Sequence, residues 1–210
     1  MAAETSQTLD RGLRVLEVLA ATPAGLTVTE LSAALGINRT VTHRLVTTLA
    51  EHALVRRDEA GRVTAGLGLL RLAVGVQPVL RDATLPLLRE LAEVTGCTAH
   101  LTVVDSGEAL ALAVVEPSWT DFHVSYRVGA RHPLEQGAAG RAILAGRSGT
   151  GGPVVSDGEL QAGAHGLAAP VLGVLGLEAS IGVITLGSLE ADKVGPAVGA
   201  AVAALVQRLG

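Results

Sequence analysis

The sequence predicts an α+β chain built from an amino-terminal winged helix-turn-helix, a linker helix and a carboxy-terminal domain with an antiparallel sheet. Three observations carry this. Residues 27–66 read as helix, tight turn, helix and short hairpin; residues 67–81 form one apolar helical run; and from residue 82 onward β-rich runs alternate with helical ones. The corresponding boundaries are 6–66, 67–81 and 82–210.

A first helix over Leu9–Ala20 is marked by Leu13, Leu16 and Val18–Leu19 and ends at Pro23-Ala24-Gly25. Thr27 and Glu30 have the capping-box spacing, in which each side chain satisfies a free amide of the first turn. Val28, Leu31 and Leu35 then recur at helical intervals, and Gly36 can take the left-handed conformation that ends a helix. Asn38 is a good N-cap for the next helix, where Thr42, Leu45 and Leu49 share one face. Arg39, Thr40, Val41, His43, Arg44 and Thr47 cover the rest, and that layout suits insertion into a DNA major groove. Leu54–Arg57 and Arg62–Ala65 pair around Asp58–Gly61 as a hairpin, with Arg56, Arg57 and Arg62 placed to reach phosphates flanking the groove.

The run Leu67–Leu80 is apolar on most of its surface, and a self-pairing helix between domains is the reading that covers it. Thr84 is expected to cap a helix running to about Val94, with Gly96 past its end. Thr98–Val104 and Ala109–Glu116 form a hairpin through Asp105–Glu108. Phe122, Val124, Tyr126 and Val128 alternate with polar residues as a half-buried strand. A short helix over Gly137–Ala145, strands over Ala168–Val174 and Ser180–Leu186, and a helix over Val194–Leu209 complete the expectation.

Composition narrows the function classes. The chain is 49% hydrophobic and 17% charged, so it can build a core; Trp119, Phe122 and Tyr126 are its only aromatics, so Leu, Val, Ala and Ile must fill that core. Residues 1–80 carry eight arginines against seven carboxylates, whereas residues 81–210 carry a balance of −5, which points a nucleic-acid surface to the amino-terminal part. A lone Cys97 and an N-terminus without a basic start or apolar stretch suit a cytoplasmic protein. The most apolar run, Leu167–Leu177, is broken by Pro170, Gly173 and Gly176 and is too short for a membrane. Cys97, His100, His123, His132 and His165 lack metal-ligand spacing, and no nucleophile–base set or phosphate loop stands out. Neither a cofactor nor catalysis is expected. Trp119, Phe122 and Tyr126 suit core or dimer packing better than a ligand wall.

With these residues in view, the chain from Leu9 to Leu209 resembles the IclR family of bacterial transcriptional regulators. The resemblance is carried by LTVTELSAALGIN, HRLVTTL, LVRR and TAGLGLLRLA, then by RVGARHPLEQGAAGRAILA and SDGELQAGAHGLAAPV. It implies a GAF-like carboxy-terminal domain that binds a small-molecule effector. It also implies a homodimer, often a dimer of dimers, on a palindromic double-stranded DNA operator. The DNA-binding candidates are Thr27, Asn38, Arg39, Thr40, Val41, His43, Arg44, Arg56, Arg57 and Arg62. The effector-binding candidates are Tyr126, Gly137, Ala138, Ala139, Gly140, Ser156, Asp157, Ala164, Gly166, Ile184 and Leu186.

The sequence departs from the family pattern in three places. Val41-Thr42 reverses the usual order, which turns Val41 outward as a candidate for a thymine methyl. Ile184 and Leu186 stand where many relatives have hydroxyls, and Gly166 where some have Cys; this implies a roomier, more apolar pocket for an aromatic or longer aliphatic effector. Only eleven residues separate Ala145 from Asp157, where the family normally carries a longer helix and loop, so the effector domain is shortened. The alternative reading keeps the DNA-binding half and leaves the shortened domain to dimerisation or partner binding alone.

Overall fold

The computed structural model describes residues 5–119 and 126–210. They fall into two compact units, Met1–Gln77 and Pro78–Gly210.

In the first unit, helix α1 (Gln7–Ala20) is followed by the two-residue strand β1 (Leu26–Thr27), α2 (Val28–Leu35) and α3 (Arg39–Glu51). The wing strands β2 (Val55–Arg57) and β3 (Arg62–Ala65) come next, then the short α4 (Gly68–Ala73). The predicted capping box is present: the Thr27 amide donates to Glu30 Oε2 at 2.7 Å, and the Glu30 amide donates to Thr27 Oγ1 at 3.2 Å. Gly36 closes α2 in the left-handed region, at φ 64°. The Asn38 side chain accepts from the Thr40 amide at 2.7 Å and starts α3. The strands form one antiparallel sheet in the order β1-β3-β2. Val15, Leu19, Leu31, Leu35, Leu45, Val46, Val55 and Val63 make the core, so each of the three helices and both wing strands contribute to one cluster.

The second unit holds most of α5 (Val76–Thr95) together with β4 (Thr98–Asp105), β5 (Glu108–Val115), β6 (Arg131–Pro133) and α6 (Gly137–Arg147). After these come β7 (Val154–Asp157), β8 (His165–Val171), β9 (Ala179–Thr185) and α7 (Ala191–Leu209). The six strands form an antiparallel sheet in the order β6-β5-β4-β9-β8-β7. Alternation along the strands gives the sheet two faces. Ala99, Leu101, Leu167, Ala169, Ile181 and Val183 join Leu88, Leu91, Val198 and Leu205 of α5 and α7 in the main core. The residues between them face the other way, where Ala168 packs with Ala138, Ala139 and Ala142 of α6.

Several boundaries differ from the sequence expectation. Thr84 does not cap a helix: it lies buried inside α5 and its hydroxyl donates back to the Leu80 carbonyl at 2.7 Å. The break in the apolar run instead falls at Val74-Gly75, between α4 and α5, and α5 continues through Pro86. A Thr reads as a cap from sequence because its hydroxyl competes with backbone donors; here the same hydroxyl bonds one turn back within the helix. The strands β1, β6 and β7 have two to four residues each and were below what a period-two pattern reveals. The alternating stretch from Phe122 falls largely outside the described residues; Tyr126 and Arg127 lie in no strand.

Candidate functional site: a helix face with basic residues and a polar sheet face

On α3, Thr42, Leu45 and Val46 are buried, while Arg39, Thr40, His43, Arg44 and Thr47 are exposed. Arginine and threonine thus project from the first two turns, and the apolar stripe anchors the helix on its unit. Thr42 turns inward as its position implies, with its hydroxyl donating to the Asn38 carbonyl at 3.2 Å. Val41 corrects the expectation: it is half-buried and packs against the core cluster, because the 100° step of a helix places it on the flank of the Thr42–Leu45 stripe. It is not fully turned to the outside. Arg56 and Arg57 are exposed on the wing. Arg62 also makes contacts within the unit: its Nε donates to the Ala24 carbonyl at 3.1 Å and Nη2 to the Gly25 carbonyl at 2.6 Å. Its guanidinium ties the wing to the loop after α1 through two of its five N–H donors. Thr27 and Asn38 act as helix caps, and the Thr27 amide and hydroxyl hold the Glu30 carboxyl below its usual range.

On the second unit, the sheet face beneath α6 gathers most of the effector candidates. A Cβ on Gly166 would meet Ser156 Oγ at 2.8 Å and the Ala138 Cβ at 3.4 Å, so Ser156, Ala138 and Gly166 are packed together. Ala164, Ile184 and Tyr126 form a small cluster beside them. Gly137, in the left-handed region at φ 73°, lies under Leu160, and its amide donates to Glu159 Oε2 at 2.8 Å. Arg141 pairs with the same carboxylate at 2.5 Å. Ala139 is tied to the sheet, where its carbonyl accepts from Ser180 Oγ at 3.0 Å. Gly140 allows α6 to approach the Leu134 backbone, which a Cβ would meet at 2.5 Å. Two candidates stand apart: Asp157 is largely exposed and faces His165 at 3.2 Å, and Leu186 is 50% exposed past the end of β9.

This face also holds polar groups that sequence reading did not place there. His100, Thr102, His132 and Ser180 are buried. Thr102 Oγ1 lies 3.2 Å from His100 Nδ1, and the Tyr126 hydroxyl lies 3.4 Å from His132 Nε2. The His100 ring crosses Gly182 of β9, where a Cβ would approach its Cε1 to 2.9 Å. Burial, with a smaller contribution from His132, lowers the His100 pKa to about 3, so its imidazole is neutral. Burial raises the Tyr126 phenol, partly offset by Thr102. The signal was present in the alternation of β4, where His100 and Thr102 occupy the face opposite Ala99 and Leu101. The apolar wall expected from Ile184 is therefore joined by hydroxyls and imidazoles. Among the described residues no three His, Cys, Asp or Glu side chains group as a metal site, and no helix is long and apolar enough to cross a membrane.

A winged helix-turn-helix followed by an α+β domain with an α6-covered sheet face defines the class of the molecule. Comparison with known families matches residues 8–59 to the IclR helix-turn-helix domain and residues 73–151 to the bacterial transcriptional regulator IclR C-terminal domain. The chain belongs to the IclR family. It is 32% identical over 146 residues to the transcriptional repressor IclR of Escherichia coli (strain K12), covering 66% of this chain and 52% of that protein. It is 30% identical over 147 residues to the glycerol operon regulatory protein of Streptomyces coelicolor, covering 68% and 57%. The match thus spans about half the length of these curated relatives. Among solved structures, an IclR transcriptional regulator from Alicyclobacillus acidocaldarius superposes with a TM-score of 0.57 at 21% identity, over 99% of this chain and 100% of the other. An IclR homolog complexed with 4-hydroxybenzoate, from Microbacterium hydrocarbonoxydans, gives 0.54 at 19% identity, over 97% and 99%. These likenesses establish the fold.

Proposed function

We propose that the protein is a cytoplasmic, DNA-binding transcriptional regulator without catalytic activity, whose operator affinity is set by a small effector held in the second unit. The observation that carries this is α3, a capped helix with Arg39, Thr40, His43 and Arg44 exposed in front of a buried Thr42–Leu45–Val46 stripe. Arg56 and Arg57 on the wing supply phosphate contacts. The functional division in this reading is that residues 6–66 read DNA, 67–81 link and pair two copies, and 82–210 bind the effector. The relatives named as repressors and regulators support the reading, and the 4-hydroxybenzoate complex of a structural neighbour supports a ligand in such a domain. The effector is a largely apolar molecule against Ala138, Ala164, Gly166 and Ile184.

The mechanism is linkage. A homodimer places two α3 helices on the half-sites of a palindromic operator, and an effector that prefers one arrangement of the dimer changes how well both fit at once. Selection of genomic fragments by the purified chain, followed by anisotropy titration at several salt concentrations, tests the proposal. The expected result is specific binding whose salt slope falls by about one unit in Arg57→Ala, with the loss shared across sequences. An unchanged slope removes Arg57 from the interface, and no enriched fragment at low salt removes the proposal.

A further inference from the structure

The sheet face assigned to the effector is filled by one of the protein's own side chains. Tyr126 sits in a T-shaped pair with His100, centroids 5.2 Å apart and planes at 63°, and packs with Ala164 and Ile184. Its hydroxyl reaches His132 Nε2. His132 Nδ1 lies 3.0 Å from the Pro133 carbonyl, which can only accept, so Nδ1 donates there and Nε2 is the ring nitrogen that faces the phenol. The site is therefore built around a hydroxyaromatic: an imidazole ring set across the aromatic ring, an imidazole nitrogen for the hydroxyl, and aliphatic side chains on the flank. Among the described residues Tyr126 belongs to no helix or strand. It is also the chain's only tyrosine.

The charged end of the same face is already satisfied. Glu159 accepts from the first amide of α6 and pairs with Arg141. A ligand carboxylate brought to that turn would meet a fixed negative charge and a cation already engaged. The remaining buried groups facing Tyr126 are a neutral imidazole and a hydroxyl, His100 and Thr102.

We propose that Tyr126 is a built-in occupant of the effector site, and that the effector is a neutral phenol which displaces it by reproducing its contacts. This rests on the effector reading of the second unit given above and names the ligand class. Because the tyrosine must leave first, apparent affinity is the intrinsic affinity scaled by the fraction of molecules in which the site is open. Weakening the tyrosine's own hold should then tighten the ligand.

The experiment uses the whole chain labelled with ring-13C tyrosine, which yields signals from Tyr126 alone. 4-Methylphenol is the neutral probe and benzoate the anionic one, at matched concentrations near pH 7, where a phenol is un-ionised. The expected result is a saturable shift of the Tyr126 ring signals with 4-methylphenol and none with benzoate. Calorimetry on Tyr126→Phe, which keeps the ring and loses the hydroxyl bond, should show 4-methylphenol binding about two- to tenfold tighter. The proposal is overturned if benzoate moves the ring signals equally, if 4-methylphenol binds while they stay still, or if Tyr126→Phe weakens binding. If neither probe nor any other small molecule binds while DNA affinity is intact, the effector reading fails and this inference with it.

Discussion

Thr27 and Glu30 hold the entry to α2 through reciprocal hydrogen bonds, and the carboxyl is kept low chiefly by the Thr27 amide. Thr27→Ala should therefore cost about 1 kcal/mol in urea unfolding, with an unchanged slope. Val41, half-buried against the core, gives an outcome different from its sequence reading: Val41→Ala should lower stability by about 1 kcal/mol while base preferences in a randomised-site selection stay the same. His100 makes a pH prediction. Its folded pKa of about 3 lies below the unfolded value of 6.5, so between them the unfolded chain binds the extra proton. Its contribution is full above pH 6.5 and is lost progressively as pH falls toward 3. Unfolding measured over that window should steepen with acidity, and His100→Asn should flatten the dependence. A curve identical in the two proteins would contradict the burial assigned to this ring.

At the scale of elements, α3 combines two jobs on separate faces. Leu45→Ala should destabilise the first unit by roughly 2–5 kcal/mol, since it opens a cavity among Val15, Leu31 and Val63. Arg44→Ala lies on the exposed face and should leave thermal unfolding unchanged while weakening operator binding, read by anisotropy. Much of this element was legible beforehand: Asn38 as its cap and Leu45 on its inner face follow from spacing alone. Its flank was not, because one 100° step separates Val41 from Thr42 and the width of the buried stripe depends on what packs against it. The α4–α5 region shows the opposite. Apolar periodicity runs unbroken through Leu67–Leu80, so the break at Val74-Gly75 and the continuation through Thr84 and Pro86 had no clear sequence mark. Pro86 is exposed within α5 and cannot donate to the preceding turn, so Pro86→Ala should raise stability by about 1 kcal/mol or more.

For the molecule as a whole, the exposed apolar side chains of the linker carry the clearest consequence. In a single chain Leu67, Leu70, Leu72, Val74, Val76 and Val79 are all more than 60% exposed. A second copy laid along this stretch would remove that surface from water, which is the basis for the proposed homodimer. Sedimentation should report a dimer, and the pair of changes Leu70→Asp and Leu72→Asp should shift it toward the single-chain species while lowering operator affinity. A dimer that survives both changes would move the interface elsewhere. The passage from α6 to β7, residues 148–153, leads into a strand that brings Ser156 to Gly166 and Ala138.

What the sequence determined by itself is local: the caps at Thr27 and Asn38, the left-handed stop at Gly36, the hairpin turns and the inner stripe of α3. Each depends on residues within a turn or two of one another, where spacing alone sets geometry. The tertiary structure decided what depends on distant partners. It tied Arg62 to the Ala24 and Gly25 carbonyls, drew Val41 halfway into the core, and set His100, Thr102, Tyr126 and His132 on one buried face. Those outcomes follow from strand register and packing across many residues, and no local pattern carries that information.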